Sequence, residues 1–594
     1  MKDFIHYISI KYETNVIEAT LINYVYKKLE KQILFSNKYR DTVKFVNLEL
    51  FHEFEKHDFP IDIELIINLF EFLICENTKI KNGIVFTPKY ISDFICKNTI
   101  KDNVYDKNII DPSCGCGIFL ISAAEYLHEQ TNKKFVEIFN NYIYGIDIDS
   151  DNVRRCKIVI DLYVLIKGED NNLLNINVKQ LDSLKTDWAQ VFNKRDFDFI
   201  LGNPPYVNTH DMSKEMSNYL KNTFTTTQNG VYNLYYAFIE YAMHFLSVNG
   251  RLGYIVPNNL LSIKSAKELR AFISNNRYIE CIVDFTDNML FKPVRTYSCI
   301  LFLTKTKKEN FKFANVLYTN DIKRSLKTVE FNKLPISALD PKGWKLADIN
   351  TLKNIQKIEN QAYSISNMIK TGIATLRDNI YFVEFDGNDF FKYINEKKYI
   401  IEAAIVRKIY KISDIDKGCK YIIFPYKKSN GGYEIIDETE FKNIAPSAYA
   451  YLLAQKEELD KRDKGKKNNV AWYAYGRSQG LNKYGKKLLF PTFAGYPHFT
   501  LVDDDNSLFC NGYAVFDEGI LDLSLLQRVL NSFVMHYYVS KTSYPIEGGY
   551  YCYQKKYIEC FSVPNFTKEE IKYLSLLEND EFDKFLVSKY GLSI

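Results

Sequence analysis

The chain has 594 residues, is 46% hydrophobic and 25% charged, and carries a net charge of +4. That composition excludes a disordered chain, leaves room for roughly two to four domains, and is too weakly basic to single out a nucleic-acid partner by itself. No apolar run reaches the roughly eighteen residues of a membrane span, so no membrane association is expected.

The start, Met1-Lys2-Asp3-Phe4-Ile5-His6, is soon followed by Lys11 and Glu13 and carries no signal-peptide pattern. Eleven cysteines are scattered without a framework. Cys114 and Cys116 flank one glycine, and no second pair completes a zinc site, so no metal is expected. A reduced cytoplasm is the simplest setting. Residues 1–80 read as a helical extension: Val16 to Leu34 and Ile61 to Cys75 carry apolar residues at helical spacing, with no catalytic or nuclease pattern.

From residue 81 the pattern changes. In Gly83-Ile84-Val85-Phe86-Thr87-Pro88, Thr87 is expected to cap a helix that Pro88 begins, with Ile91, Phe94 and Ile95 on its buried face. Ile109-Ile110-Asp111-Pro112-Ser113-Cys114-Gly115-Cys116-Gly117 reads as a strand, a glycine turn and the start of a helix. Small residues there let a ligand approach the backbone. Neither a phosphate-loop ending nor a three-glycine dinucleotide pattern is present, so a nucleoside without phosphates fits better. Ile143 to Asp149 is a second strand ending in acid, with Asp147 placed for ribose hydroxyls, and Asp182 follows a third element, where it could accept from an adenine amine.

Phe199-Ile200-Leu201 then forms a buried strand that runs into Gly202-Asn203-Pro204-Pro205-Tyr206. The glycine allows a close turn and two prolines stiffen the loop. Asn203 and the Pro204 carbonyl make two adjacent acceptors, suited to an amino group that donates twice; Tyr206 offers a flat face for stacking. Asn233 to Val248 reads as an amphipathic helix stopped by Asn249-Gly250. Strands follow at Leu252 to Val256, Cys281 to Phe285 and Ser298 to Leu303, with the aromatic-tipped loop Phe291 to Arg295 between the last two. The sum is an alternating α/β domain over 81–320 on a mostly parallel sheet. Residues 321–365 read as a linker, and 366–594 as a separate mixed α/β domain. Within it, 456–487 carries Lys456, Lys461, Arg462, Lys464, Lys466, Lys467, Arg477, Lys483, Lys486 and Lys487, interleaved with Trp472, Tyr473 and Tyr475. That mixture suits phosphate neutralisation with groove contacts.

The series Asp111 to Gly117, Asp147, Asp182 and Asn203 to Tyr206 resembles the motifs of S-adenosylmethionine-dependent DNA adenine methyltransferases. The Gly83 to Pro88 stretch resembles their additional cofactor motif. The motif order resembles the gamma class, the TaqI-like enzymes of restriction–modification systems, and Leu526 to Ser532 resembles the closing helix of their recognition domain. The resemblance implies a Rossmann-like methyltransferase domain, an N-terminal helical extension and a C-terminal target-recognition domain. It implies S-adenosyl-L-methionine held by Thr87, Asp111, Pro112, Ser113, Gly115, Gly117, Asp147 and Asp182. It implies catalysis at N6 of a flipped adenine by Asn203, Pro204, Pro205 and Tyr206, with Tyr206 and Phe291 stacking on the base. Duplex DNA, met by Lys464, Lys466, Lys467, Trp472 and Arg477, and a companion restriction endonuclease are the implied partners, in a bacterial or archaeal cytoplasm. The competing readings are a methyltransferase for another amine, on protein glutamine or RNA guanine, and a non-catalytic DNA-binding relative.

Overall fold

The acids expected to end strands at 111 and 147 do so in the computed structural model. It describes residues 2–29, 45–74, 86–102, 104–286, 288–291, 296–317, 319, 321–429, 432–465, 468, 470–519, 521–543, 545–546 and 548–594. Chain contacts divide it into two units, Met1–Asp348 and Ile349–Ile594.

The first unit is built on a nine-stranded sheet. Its strands are β1 (Ile109–Asp111), β2 (Ile143–Asp147), β3 (Val178–Gln180), β4 (Phe197–Gly202), β5 (Leu246–Pro257), β6 (Ile279–Asp284), β7 (Ser298–Thr304), β8 (Asn310–Asn315) and β9 (Asn332–Pro335). They lie in the order β3-β2-β1-β4-β5-β7-β6-β8-β9. Five neighbouring pairs are parallel, from β3 across to β5 and between β6 and β8; β7 runs antiparallel to both β5 and β6. Chain order reverses between β1 and β4, and a doubly wound sheet binds ligands in the crevice outside its carboxyl ends at that switch. The fully buried strands β1 and β2 carry no charge until their terminal acids, as a sheet covered on both faces requires.

The N-terminal helices are α1 (Lys2–Lys11), α2 (Thr14–Lys28), α3 (Leu48–Lys56) and α4 (Ile63–Phe72). They share one hydrophobic cluster with α5 (Lys89–Thr99), α6 (Ile118–Thr131) and α7 (Ser150–Ile166). Buried polar contacts reinforce that packing. Arg155 Nε donates to Glu18 Oε1 at 2.7 Å, and Tyr26 Oη donates to Asp161 Oδ2 at 3.0 Å. Both pairs join α2 to α7, so the helical extension is a layer of the first unit.

Several local expectations shift. The N-cap of α5 is Pro88 and no side chain caps it; the Thr87 hydroxyl is used elsewhere. The helix expected over 233–248 spans Leu234–Phe245, with the Asn233 side chain accepting from Tyr235 N. Strand β5 begins at Leu246 and passes through Asn249-Gly250 with an irregularity in its pairing to β4. Residues 321–365 are not a free linker: β9 joins the sheet of the first unit, while the helix Ile349–Glu359 buries Ile355 and Ile358 in the core of the second.

The second unit has a six-stranded sheet and a four-stranded sheet, so its mixed α/β character is as expected. The helix Leu523–Leu530 turns Leu526, Val529 and Leu530 into the core, and Arg528 Nη1 and Nη2 each donate at 2.6 Å, to the carbonyls of Leu574 and Leu577. Among the described residues, no helix is long and apolar enough to cross a membrane.

Candidate functional site

The adjacent carboxyl ends of β3, β2, β1 and β4 lead directly into Asp182, Asp147, Asp111 and Asn203. All four residues line one cavity of about 390 Å³, within the range of ligand pockets. Strand twist and parallel pairing bring together residues the chain separates widely.

Asp111 is 1% exposed, and its Oδ1 accepts from Ser113 N at 2.9 Å. Burial pushes its carboxyl up to about 8. Two glycines make the surrounding turn feasible. Gly117 caps α6 at φ +95°, and a Cβ there would lie 2.8 Å from Cys156 Sγ. Gly202 sits at φ +149°, and a Cβ there would lie 2.6 Å from Asp111 Oδ1. The carboxylate of β1 therefore occupies the volume that any side chain at the end of β4 would need.

Asp147 knits the next two segments together. Its Oδ2 accepts from Gly115 N at 2.9 Å, and its Oδ1 accepts from Asp149 N at 2.9 Å and from Asn152 Nδ2 at 3.3 Å. Asp149 caps α7 by accepting from Asp151 N and Asn152 N. Asp147 is thus oriented by both the glycine turn and the first turn of α7. Burial holds its carboxyl above the usual range. Asp182 is half-buried, its Oδ1 accepting from Leu184 N at 3.1 Å. Ser183 is buried and ties this segment to the glycine turn by donating to the Pro112 carbonyl.

At the other end of the cavity, Asn203 Nδ2 donates to Thr87 Oγ1 at 3.1 Å. Thr87 is 7% exposed and lines the cavity as well. Its contact fixes which way the amide points, so that the carbonyl end of Asn203 is turned away from Thr87. Ser113 Oγ donates to the backbone carbonyl of Asn203 at 3.4 Å. Pro204 is buried and Pro205 lines the cavity. Tyr206 is half-buried; its hydroxyl donates to the Ile255 carbonyl on β5 at 3.1 Å, and its ring meets Tyr235 edge-on at 6.0 Å. Anchored at its tip, the ring has little freedom left.

Phe291 behaves differently from its expected role. It is 4% exposed in the same core cluster as Phe285 and Leu290. A ring buried in packing is not presented to a base, so Phe291 is a core residue here. Gly83 lies outside the described residues.

Other cavity-lining residues had no sequence signal. Glu71 and Ile74 come from the end of the N-terminal layer. Asp211, Met212 and Met216 come from the segment after Tyr206, where Ser213 caps the helix Lys214–Thr223. The described lining contains the acids Glu71, Asp111, Asp147, Asp149, Asp182 and Asp211 and no lysine, arginine or histidine. Such a wall suits a cation and repels phosphates.

In the second unit several described members of the basic run are paired or face inward. Arg462 is 5% exposed and donates to the carbonyls of Leu459, Trp472 and Ala474 and to Tyr381 Oη. Lys487 is buried, donates to the Gly485 and Ser507 carbonyls, and is pushed down to about 8 by burial. These two members of the basic run face inward and serve the fold. Tyr473 and Tyr475 are also core residues, their hydroxyls donating to the carbonyls of Ile436 and Ile423. Trp472 is half-buried between Tyr449 and Tyr473, with Lys456 Nζ 5.5 Å from its ring. Arg477 remains exposed and pairs with Asp463 at 3.2 Å; Lys461 and Lys486 pair with Glu458 and Asp503. The Lys464 side chain, Lys466 and Lys467 lie outside the described residues.

Residues 62–362, just over half of the chain, match the family described as N-6 DNA Methylase. The chain is 28% identical over 484 residues to the type II restriction enzyme and methyltransferase RM.Eco57I of Escherichia coli, covering 68% of this chain but only 48% of that protein. It is 24% identical over 577 residues to the type II methyltransferase M.BstVI of Geobacillus stearothermophilus, covering 88% of this chain and 98% of that one. In fold it is similar to the type IIL restriction-modification enzyme MmeI, solved in complex with DNA, with a TM-score of 0.62 at 14% identity over all of this chain and 90% of that one.

Proposed function

The chain belongs to the N-6 DNA methylase family, adenine-specific DNA methyltransferases, and from that premise we propose that it flips one adenine of a specific duplex sequence against Asn203-Pro204-Pro205-Tyr206 and methylates its N6, as the modification enzyme of a restriction–modification system. The observation that carries this reading is the convergence of Asp111, Asp147, Asp182 and Asn203 on one cavity at the sheet's switch point, with the Asn203 amide oriented by Thr87.

The donor set fits S-adenosyl-L-methionine: a glycine turn without phosphate-loop residues, acids at the ends of β2 and β3, and a lining of carboxylates without basic groups. When bound, that cofactor supplies a methyl group already activated by a positively charged sulfur. Ser113, Gly115 and Gly117 would hold its amino-acid part, Asp147 its ribose and Asp182 its adenine.

The rest of the work falls to the chain's own groups. A base stacked inside a duplex cannot reach a loop at the end of β4, so the target must leave the helix. Tyr206, pinned through its hydroxyl to Ile255, gives the base a rigid face to stack on. Asn203 Oδ1 and the Pro204 carbonyl accept the two N6 hydrogens. Accepting both keeps the nitrogen lone pair off the ring and directs it towards the methyl donor. Prolines 204 and 205 hold the two acceptors in register, so alignment costs little at the moment of reaction. RM.Eco57I carries restriction and modification in its name. For this chain we assign the modification half, with a companion nuclease acting on the same sequence.

Transfer of tritium from labelled cofactor to duplex DNA tests the reading. The Asn203→Ala chain should lose transfer by about a hundredfold or more, the scale of removing one preorganised polar group from a reaction centre, while cofactor and DNA binding persist. Near-normal turnover in that variant, or label entering protein or RNA instead of DNA, would refute the assignment.

A further inference from the structure

We infer that Glu71, on the helical N-terminal layer, binds the ammonium at the amino-acid end of the cofactor, so that this layer is a working wall of the cofactor site. The inference rests on the cofactor assignment above. Nothing in the local sequence marks Glu71; it lies in an ordinary amphipathic helix. Yet it is 7% exposed at the end of α4, and it lines the same cavity as Asp111, Asp147 and Asn203.

The acids around the cavity divide by position. Asp182 and Asp147 stand at the ends of β3 and β2, where adenine and ribose are assigned. Asp111 lies beneath the turn, engaged with Ser113. Glu71 approaches from another layer, beside the glycine turn: the Cys116 thiol is raised first by burial and next by the charge of Glu71. Ile74, Phe86 and Thr87 continue the same wall towards Asn203. The group that belongs beside the glycine turn is the cofactor's amino-acid part, whose ammonium needs an anionic partner once it is stripped of bulk water.

The wall is built to hold its position. Helix α4 packs on α7, and α2 is tied to α7 through Glu18–Arg155 and Tyr26–Asp161. The first turn of α7 in turn orients Asp147 through Asn152. One helix therefore sets the relative placement of the ribose-facing acid and the layer that carries Glu71.

The test is equilibrium binding by calorimetry on the full chain. The probes are S-adenosylmethionine, 5′-methylthioadenosine, which lacks the amino-acid end, and a cofactor analogue lacking only the α-amino group. Glu71→Gln should weaken S-adenosylmethionine about tenfold or more, the range for losing one hydrogen bond to a charged group. It should leave 5′-methylthioadenosine unchanged, and the deaminated analogue should bind wild type and variant equally. Glu71→Asp, which keeps the charge on a shorter stem, should lose less affinity than Glu71→Gln. The inference is overturned if S-adenosylmethionine binds the variant normally, or if all three ligands weaken together, as a merely structural residue would make them do. A wild-type chain that binds none of the three would sink the cofactor assignment itself, which is a separate failure.

Discussion

Asp111 illustrates how much one buried carboxyl can set. Its pKa is raised by burial from 3.8 to about 8. A group raised on folding adds stability that is fully present below its unfolded pKa and is lost as pH climbs through the folded value. Between about pH 4 and pH 8 the ligand-free chain should therefore lose stability through this residue. Asp111→Asn should melt higher than wild type at pH 8, by on the order of a few kcal/mol, with the gap closing towards pH 4.5. A cation bound beside the carboxyl reverses the preference, so cofactor affinity should rise with pH in wild type and rise less steeply in Asp111→Asn, where Asp147 is left as a raised carboxyl in the cavity. Thermal melts and calorimetric titrations across that range read both effects. Asp111, Asp147, Asp182 and Asn203 were legible in the sequence because each follows directly on a strand, where apolar run and polar stop sit side by side. The contact between Thr87 and Asn203 was not legible. Its hydroxyl had a plausible local use as a helix cap, and only the packing of α5 against the sheet gives it to Asn203 instead.

At the scale of elements, α7 is the shared support. Its amino end orients Asp147, its middle holds Glu18 through Arg155, and Asp161 holds Tyr26. Removing one partner of a buried ion pair leaves an uncompensated charge, which typically costs about 3–5 kcal/mol. Glu18→Ala should approach that cost in urea unfolding, because Glu18 and Arg155 have side chains only 1% and 5% exposed. Lys27→Ala breaks the exposed pair with Glu55 and should cost about 1 kcal/mol or less. Equal costs for the two would show that the α2–α7 contact is not buried as described. Leu34 and Cys75 lie outside the described residues, but the helices described between residues 2 and 74 were readable from periodicity. Their share in the cavity was not, since a period identifies a buried face without naming what buries it. Glu71, Asp211, Met212 and Met216 join the site by long-range packing alone.

For the whole molecule, charge divides by role rather than by sequence. The first unit surrounds a cation-favouring cavity. The basic run of the second unit is uniform along the chain, yet Arg462 and Lys487 satisfy buried carbonyls while Arg477 stays at the surface. Composition cannot tell these apart, because the direction of a side chain depends on distant strands. Neutralising Lys464, Lys466, Lys467 and Arg477 together should weaken DNA binding and lower the salt slope by about 0.9 for each phosphate that is no longer neutralised. Fluorescence anisotropy across a salt series reads that slope, and an unchanged slope would move DNA binding to other residues. Arg462→Ala should instead lower the melting temperature of the second unit.

The missing Cβ of Gly202 has a last implication. Asp111 leans into the space it vacates, so two motif positions far apart in the chain share a single allotment of volume. Neither can drift by itself: a methyl at 202 evicts the carboxyl group, and a bulkier acid at 111 pushes on the loop that carries Asn203. The glycine-turn end and the Asn203 end of the cavity are coupled by simple crowding, and a change that is harmless to one will be felt by the other.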